Sequence, residues 1–281
     1  MTTEVLIVDE PAPHVRRWTL NRPETLNAFN DDLRTALRTQ IDALPADGDV
    51  RVVVLRGAGR AFSVGADVAK RSPEEFAQGY LSAASAAADY ERLQDRTIDL
   101  FLDVWRSPVA VIGQVHGYCM GIATILMHCC DLVFADDATV FGWPGAPLGG
   151  GMIGPTWSHQ IGAHLAKEMS LTIGARMSAV EAARFGVVNR VVPAEELEPV
   201  VLATAQHTAR LSRDLIRIKK AAINQVQSRQ GFEDTLRSAA AWDAVAHETE
   251  VVHETREGIR DHGLKAVLAD WRPPSREGRA R

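Results

Sequence analysis

The sequence predicts an α/β fold, and three observations carry that prediction. Val50–Leu55 and Val109–Val115 are short apolar runs rich in Val, the composition of strands buried on both faces. Between them lie segments with apolar residues at helical spacing, so that the order strand, strand, helix recurs along the chain. That rhythm would stack as a spiral of short ββα turns, although by itself it does not exclude a doubly wound sheet. After Ala194 the pattern turns almost wholly helical.

Taken in order, Val5–Val8 and Val15–Leu20 are strand candidates. Asn30 and Asp31 can cap a helix that carries Leu33, Leu37, Ile41 and Leu44 on one face. Val50–Leu55 is the next strand. Lys70–Asp95 is Ala- and Ser-rich with scattered acids, and reads as an insert. Thr97–Arg106 reads as a helix stopped by Pro108, and Val109–Val115 as a buried strand. Gly121–Cys130 is an apolar helix, followed by strands Leu132–Ala135 and Thr139–Phe141. The C-terminal helices are Glu195–Leu211, Arg213–Gln227, Phe232–His247 and Thr249–Arg260, and Pro273–Gly278 reads as a fraying end. The expected organisation is a core over residues 1–193, a helical region over 194–272 and a tail over 273–281.

Composition removes several function classes. With 281 residues, 24% charged and 46% hydrophobic, the chain has the make-up of a globular protein with room for one large core. A formal net charge of −5 argues against a nucleic-acid footprint, which needs a basic face. Cys119, Cys129 and Cys130 crowd together, so no disulfide framework emerges, and His128 beside the vicinal pair reads as packed rather than as a metal ligand. No metal site is expected. Reduced thiols and the lack of a leader-like stretch at Met1–Glu4 point to a cytoplasmic protein, and no apolar run approaches the roughly 18 residues of a membrane span.

The most informative stretch is Gly57-Ala58-Gly59-Arg60-Ala61-Phe62-Ser63-Val64-Gly65-Ala66-Asp67. Small residues at Gly65 and Ala66 leave backbone N–H groups free of side-chain cover, and such donors can hold a developing oxyanion. With Leu20-Asn21-Arg22-Pro23 upstream and His116-Gly117-Tyr118-Cys119-Met120-Gly121 downstream, the chain from Val5 to Val192 resembles the crotonase (enoyl-CoA hydratase/isomerase) superfamily. The resemblance implies a crotonase-like spiral of ββα units. It also implies a C-terminal helical region that caps the acyl pocket and builds a homotrimer or dimer of trimers. The implied ligand is an acyl-CoA thioester, with no separate cofactor.

Carried over by position, the oxyanion donors are the backbone N–H groups of Ala66 and of Ile122, where the family more often has Gly. The helix that begins at Gly121 would aim its positive end at the thioester oxygen. The CoA-contacting segments map onto Thr25, Leu26, Ala66, Asp67, Val68 and Ala69, and Trp143 is expected in the acyl-pocket wall. Asp67 reads equally well as a cap for a following helix. Glu24 stands where the family often has Lys, which weakens one phosphate contact.

The two hydratase glutamates of the family fall at Ile125 and Gly145, neither of which can exchange a proton. A shift of register does not rescue them, because no Asp or Glu occurs from Gly117 through Cys130 or from Ala138 through Lys167. The Gly149-Gly150-Gly151 loop is also shorter than the family's. Substitute proton carriers are Asp89, Tyr90 and Glu91 in the insert, which read more readily as solvated helix charges, and His116 beside the Gly-Tyr turn; His159, like Trp143, is expected to line the acyl pocket. The expected activity is therefore oxyanion-assisted chemistry on an acyl-CoA, by hydrolysis, decarboxylation, C–C cleavage or isomerisation rather than standard hydration. Two other readings stay open: a non-catalytic acyl-CoA-binding protein, and an enoyl-CoA hydratase with relocated acid/base residues.

Overall fold

The computed structural model describes residues 4–68, 82–143 and 145–271. Strands β1 (Leu6–Ala12), β2 (Val15–Leu20), β3 (Val52–Gly57), β4 (Ala110–Val115), β6 (Leu132–Asp136) and β9 (Arg190–Val192) form one sheet in the order β1-β2-β3-β4-β6-β9. The β1–β2 hairpin is antiparallel and every other pairing is parallel. A smaller sheet has the order β5-β7-β8, from Tyr118–Met120, Val140–Gly142 and Arg176–Ser178.

Each turn of the chain contributes a strand to the large sheet, then a strand to the small side, then a helix. On the small side Phe29 bridges Ala66 and Ser63 bridges Cys119, both in parallel, so short extended segments of consecutive turns lie next to one another. This is the spiral of ββα units that the rhythm suggested, and a doubly wound single sheet is excluded.

The period of two along the strands explains why β3 and β4 read as unbroken apolar runs. Val53, Leu55 and Val111 face the main core, which also takes Leu33, Leu37 and Ile41 from α1 (Asp31–Ala43). Val52, Val54, Ala110 and Ile112 face the other way, against Leu197, Val201 and Ala205 of a later helix, Ala194–Thr208. Both faces are covered, so neither can be polar.

The expected insert differs from the observed chain path. Ala83–Leu93 (α2), a π-helical stretch Gln94–Asp99, and Leu100–Arg106 (α3) follow without a break, starting from a capping box between Ser82 and Ser85. The helix therefore begins fourteen positions before Thr97 (residue 83 against residue 97). Its apolar face is diluted by Ala and Ser in the first part, which hid the signal, and becomes strong only at Leu93, Ile98, Phe101 and Leu102. Residues 69–81, which include Ala69 and the start of the insert, and the tail after 271 lie outside the described residues.

The remaining helices are α4 (Ile122–His128), α5 (Ile153–Ile161), α6 (Ala163–Leu171), α7 (Ala179–Arg184), α8 (Ala194–Thr208), α9 (Arg213–Arg229), α10 (Phe232–His247), α11 (Glu250–His262) and α12 (Leu264–Asp270). α10 is not peripheral: Phe232, Leu236, Ala239, Ala240 and Ala244 join the main core. Lys220 of α9 is buried and ties that helix down, its Nζ donating to Val109 O, Ser107 Oγ and, at 2.8 Å, to Asp131 Oδ2. No helix among the described residues is long and apolar enough to cross a membrane.

Candidate functional site

Two backbone amides converge because of how the Gly57–Asp67 segment is stitched in. The Phe29 amide donates to Gly65 O at 2.7 Å, and the Asp67 amide donates to Phe29 O at 3.0 Å. In extended chain, successive residues turn their backbone groups to opposite edges, so the Ala66 N–H faces away from Phe29. On that other edge Ser63 pairs with β5, and the chain beyond β5 enters α4 at Ile122. As the first residue of a helix, Ile122 has an N–H with no intrahelical partner. Among the described residues neither the Ala66 nor the Ile122 amide donates a hydrogen bond.

Gly65 (φ +92°) is what allows the approach. A Cβ there would lie 2.7 Å from Met120 O and 3.1 Å from Ile122 N, inside the space the two amides share.

Both amides border a cavity of about 550 Å³, within the range of small-molecule sites. Its apolar wall includes Trp143, Leu148, Met152 and Ile153, and Leu264 and Leu268 of α12 close it. Leu26, Asp67, Val68 and Gly145 also line it.

The remaining candidate residues are paired, packed in the core or outside the cavity wall. Thr25 is not in the lining; its hydroxyl donates to Arg22 O at 3.2 Å and closes the short 3-10 turn Pro23–Thr25. The Asp67 carboxylate accepts from Arg22 Nη2 at 2.9 Å, and both side chains are almost wholly buried; a helix for it to cap would fall outside the described residues. The pair locks the Asn-Arg-Pro turn to the Gly-Ala-Asp segment. Ile125 is fully buried in the core and is not in the cavity wall. His116 Nε2 donates to Gly59 O at 2.9 Å, and His159 packs edge-on against Phe232; neither lines the cavity. Tyr90 and Glu91 are exposed.

Asp89, by contrast, points inward. Its Oδ2 lies 2.6 Å from His247 Nδ1, and Oδ1 is paired with Arg92. Burial opposes its ionisation, but the His247 contact and Arg92 outweigh that and hold the carboxyl well below the usual carboxylate range. On the far side of the ring, His247 Nε2 is 3.6 Å from Asp243 Oδ2. Asp243 Oδ1 accepts the Gly150 amide at 2.8 Å. His247 and Asp243 both line the cavity, and both side chains are 7% exposed.

Asp243 and His247 were not singled out from the sequence. They sit four residues apart on the face of α10 that otherwise carries Phe232, Leu236, Ala239, Ala240 and Ala244. Two titratable residues on an apolar stripe were the available signal, but nothing in the sequence says what faces them.

Comparison with known proteins agrees with this architecture. A probable enoyl-CoA hydratase of Mycobacterium tuberculosis is 31% identical over 267 residues, covering 92% of this chain and 95% of that protein. The crystal structure of an enoyl-CoA hydratase/isomerase from Xanthobacter autotrophicus is 30% identical with a TM-score of 0.86, covering 97% of this chain and 100% of that one. A second, from Mycobacterium paratuberculosis, is 26% identical with a TM-score of 0.75, over 95% and 98% of the two chains. The enoyl-CoA hydratase/isomerase family model matches residues 12–263, nearly the whole described chain, and the protein belongs to that family.

Proposed function

We propose that the protein acts on an acyl-CoA thioester, whose carbonyl oxygen is held between the N–H groups of Ala66 and Ile122. The proposed chemistry is hydrolysis, decarboxylation, C–C cleavage or isomerisation rather than hydration by a pair of glutamates. The observation that carries this reading is the pair of unbonded amides bordering one largely apolar cavity. Two donors at a developing oxyanion lower the barrier to any reaction that passes through an enolate or a tetrahedral intermediate. Against standard hydration stand the core position of Ile125 and the glycine at 145, which leave no carboxylate where the family mechanism needs two.

Incubation with enoyl-, 3-keto- and malonyl-type CoA thioesters, read by mass spectrometry, tests the reading. The expected result is turnover of at least one class, with crotonyl-CoA hydration orders of magnitude slower than in a relative that carries both glutamates. Efficient crotonyl-CoA hydration by the unmodified protein would overturn it in favour of a hydratase with relocated groups. We propose further that the working form is a homotrimer or dimer of trimers. Ile218 and Ile223 of α9 and Trp242 and Val245 of α10, between 54% and 66% exposed, support a buried role for this surface in an assembly.

A further inference from the structure

We propose that His247, gripped by Asp89 and facing Asp243, is the proton-transfer group for the thioester in this cavity. This rests on the acyl-CoA reading given above and assigns the acid/base role that Ile125 and Gly145 leave vacant.

The hydrogen-bond partners set the tautomer. The Asp89 carboxylate can only accept, so at 2.6 Å the Nδ1 atom carries the proton and donates it. In the neutral ring the lone pair is then on Nε2. Nε2 faces Asp243 Oδ2 at 3.6 Å and the backbone of Gly149, where a Cβ would sit only 2.5 Å from it. Gly149 (φ +117°) adopts a backbone conformation that side chains disfavour, and the missing side chain is what lets the loop close over the ring.

A proton accepted at Nε2 would meet a carboxylate already in place. Asp243 is itself fixed by the Gly150 amide at 2.8 Å, so the acceptor is positioned before the proton arrives. Among the described residues, the charged groups facing the ring are Asp89 and Arg92 from α2 and Asp243 from α10; the Gly149–Gly151 loop contributes only backbone.

The cluster also connects physically to the oxyanion hole. The Ile153 amide donates to Gly150 O at 3.3 Å. Ile153 Cδ1 lies 4.0 Å from where a Cβ on Gly121, the residue before the Ile122 donor, would stand. Asp243, His247, Ala66 and Ile122 thus share one cavity.

The elementary step balances without a co-reactant. Nε2 takes the proton from the carbon next to the thioester carbonyl. The C–H electron pair moves onto the carbonyl oxygen as an enolate held by Ala66 and Ile122, and return of a proton to that carbon regenerates the thioester. In heavy water the visible product is deuterium at the α-carbon.

The purely structural alternative is a staple that pins α2 to α10, and the test separates the two. The full-length protein is incubated with butyryl-CoA in heavy water and α-deuteration is read by mass spectrometry. Binding of acetoacetyl-CoA, followed by its enolate absorbance, and thermal melting are measured alongside. Wild type should bind the enolate and exchange the α-proton. His247→Gln should lose exchange by about 100-fold or more while still binding acetoacetyl-CoA. Asp89→Asn keeps the side-chain shape and serves as the second variant. It should bind acetoacetyl-CoA normally but lose exchange by about 10-fold or more, because an amide no longer fixes the proton on Nδ1.

Exchange within a few-fold of wild type in folded His247→Gln would overturn the proposal, as would undiminished exchange in folded Asp89→Asn. Wild type that binds acetoacetyl-CoA yet exchanges no α-proton would overturn it with the acyl-CoA reading intact. Wild type that neither binds nor exchanges would overturn both.

Discussion

Replacing Gly65 with Ala would place a methyl group between the two amides of the oxyanion hole. The added Cβ would lie 2.7 Å from Met120 O and 3.1 Å from Ile122 N, where ordinary contacts start near 3.4 Å. Both neighbours are backbone, so relief requires β5 and the start of α4 to retreat from Ala66 by roughly half an ångström. That is about the tolerance of a preorganised site. Loss of one oxyanion donor costs about 10²–10³-fold, or roughly 2.7–4 kcal/mol of transition-state stabilisation. A separate cost of about 1–2 kcal/mol falls on stability, because alanine must take the left-handed backbone that Gly65 holds. The assay is titration with acetoacetyl-CoA, followed by enolate absorbance, together with a thermal melt. The expected outcome is a folded, slightly less stable protein that holds the enolate about 100-fold less well. A folded Gly65→Ala protein with unchanged enolate affinity would refute the placement of the hole. Ala66→Pro is the companion variant. It deletes one donor outright and spares the Phe29 pairing, which uses the backbone groups of residues 65 and 67.

Lys220→Met leaves the part-buried Asp131 carboxylate without its lysine and should cost up to about 3 kcal/mol in chemical denaturation. Burial already raises the Asp131 pKa against the pull of Lys220. A group with a raised folded pKa favours the fold in its protonated form, so the deficit should be largest at neutral pH and shrink as pH falls; a pH-independent deficit would refute the pairing. Ile125→Glu combined with Gly145→Glu should not restore crotonyl-CoA hydration, because residue 125 faces the core where a new carboxylate would be desolvated. Restoration to the rate of a relative with both glutamates would sink that argument. Ile223→Asp on α9 should yield a smaller species than wild type in light scattering, and a monomeric wild type at micromolar concentration would refute the proposed assembly.

How far the site was legible depended on whether its chemistry is local. Gly65, Ala66 and Gly121 point to the proposed hole because a backbone donor needs only a small neighbour and a particular turn, both written in adjacent residues. The Arg22 partner of Asp67 is not legible along the chain, because it is 45 positions away in sequence and reaches the carboxylate only after the two turns fold together. The Thr25 hydroxyl is a local matter by contrast, satisfied within its own turn three residues back.

The sequence by itself determined the alternation of buried strands and helices, because period-two and helical patterns are set by local geometry and burial. It also determined which residues could not act as acids at positions 125 and 145, since a side chain's chemistry needs no fold. Only the tertiary structure decided that Ala83–Arg106 is one helix, and that its Asp89 meets His247 across 158 positions of sequence. Helix α2 is too rich in alanine to declare its buried side, and an acid on it gains a partner only when α10 packs against it. The candidate proton carrier was therefore invisible to any reading along the chain: it exists only where two helices and a glycine loop meet at the wall of one cavity.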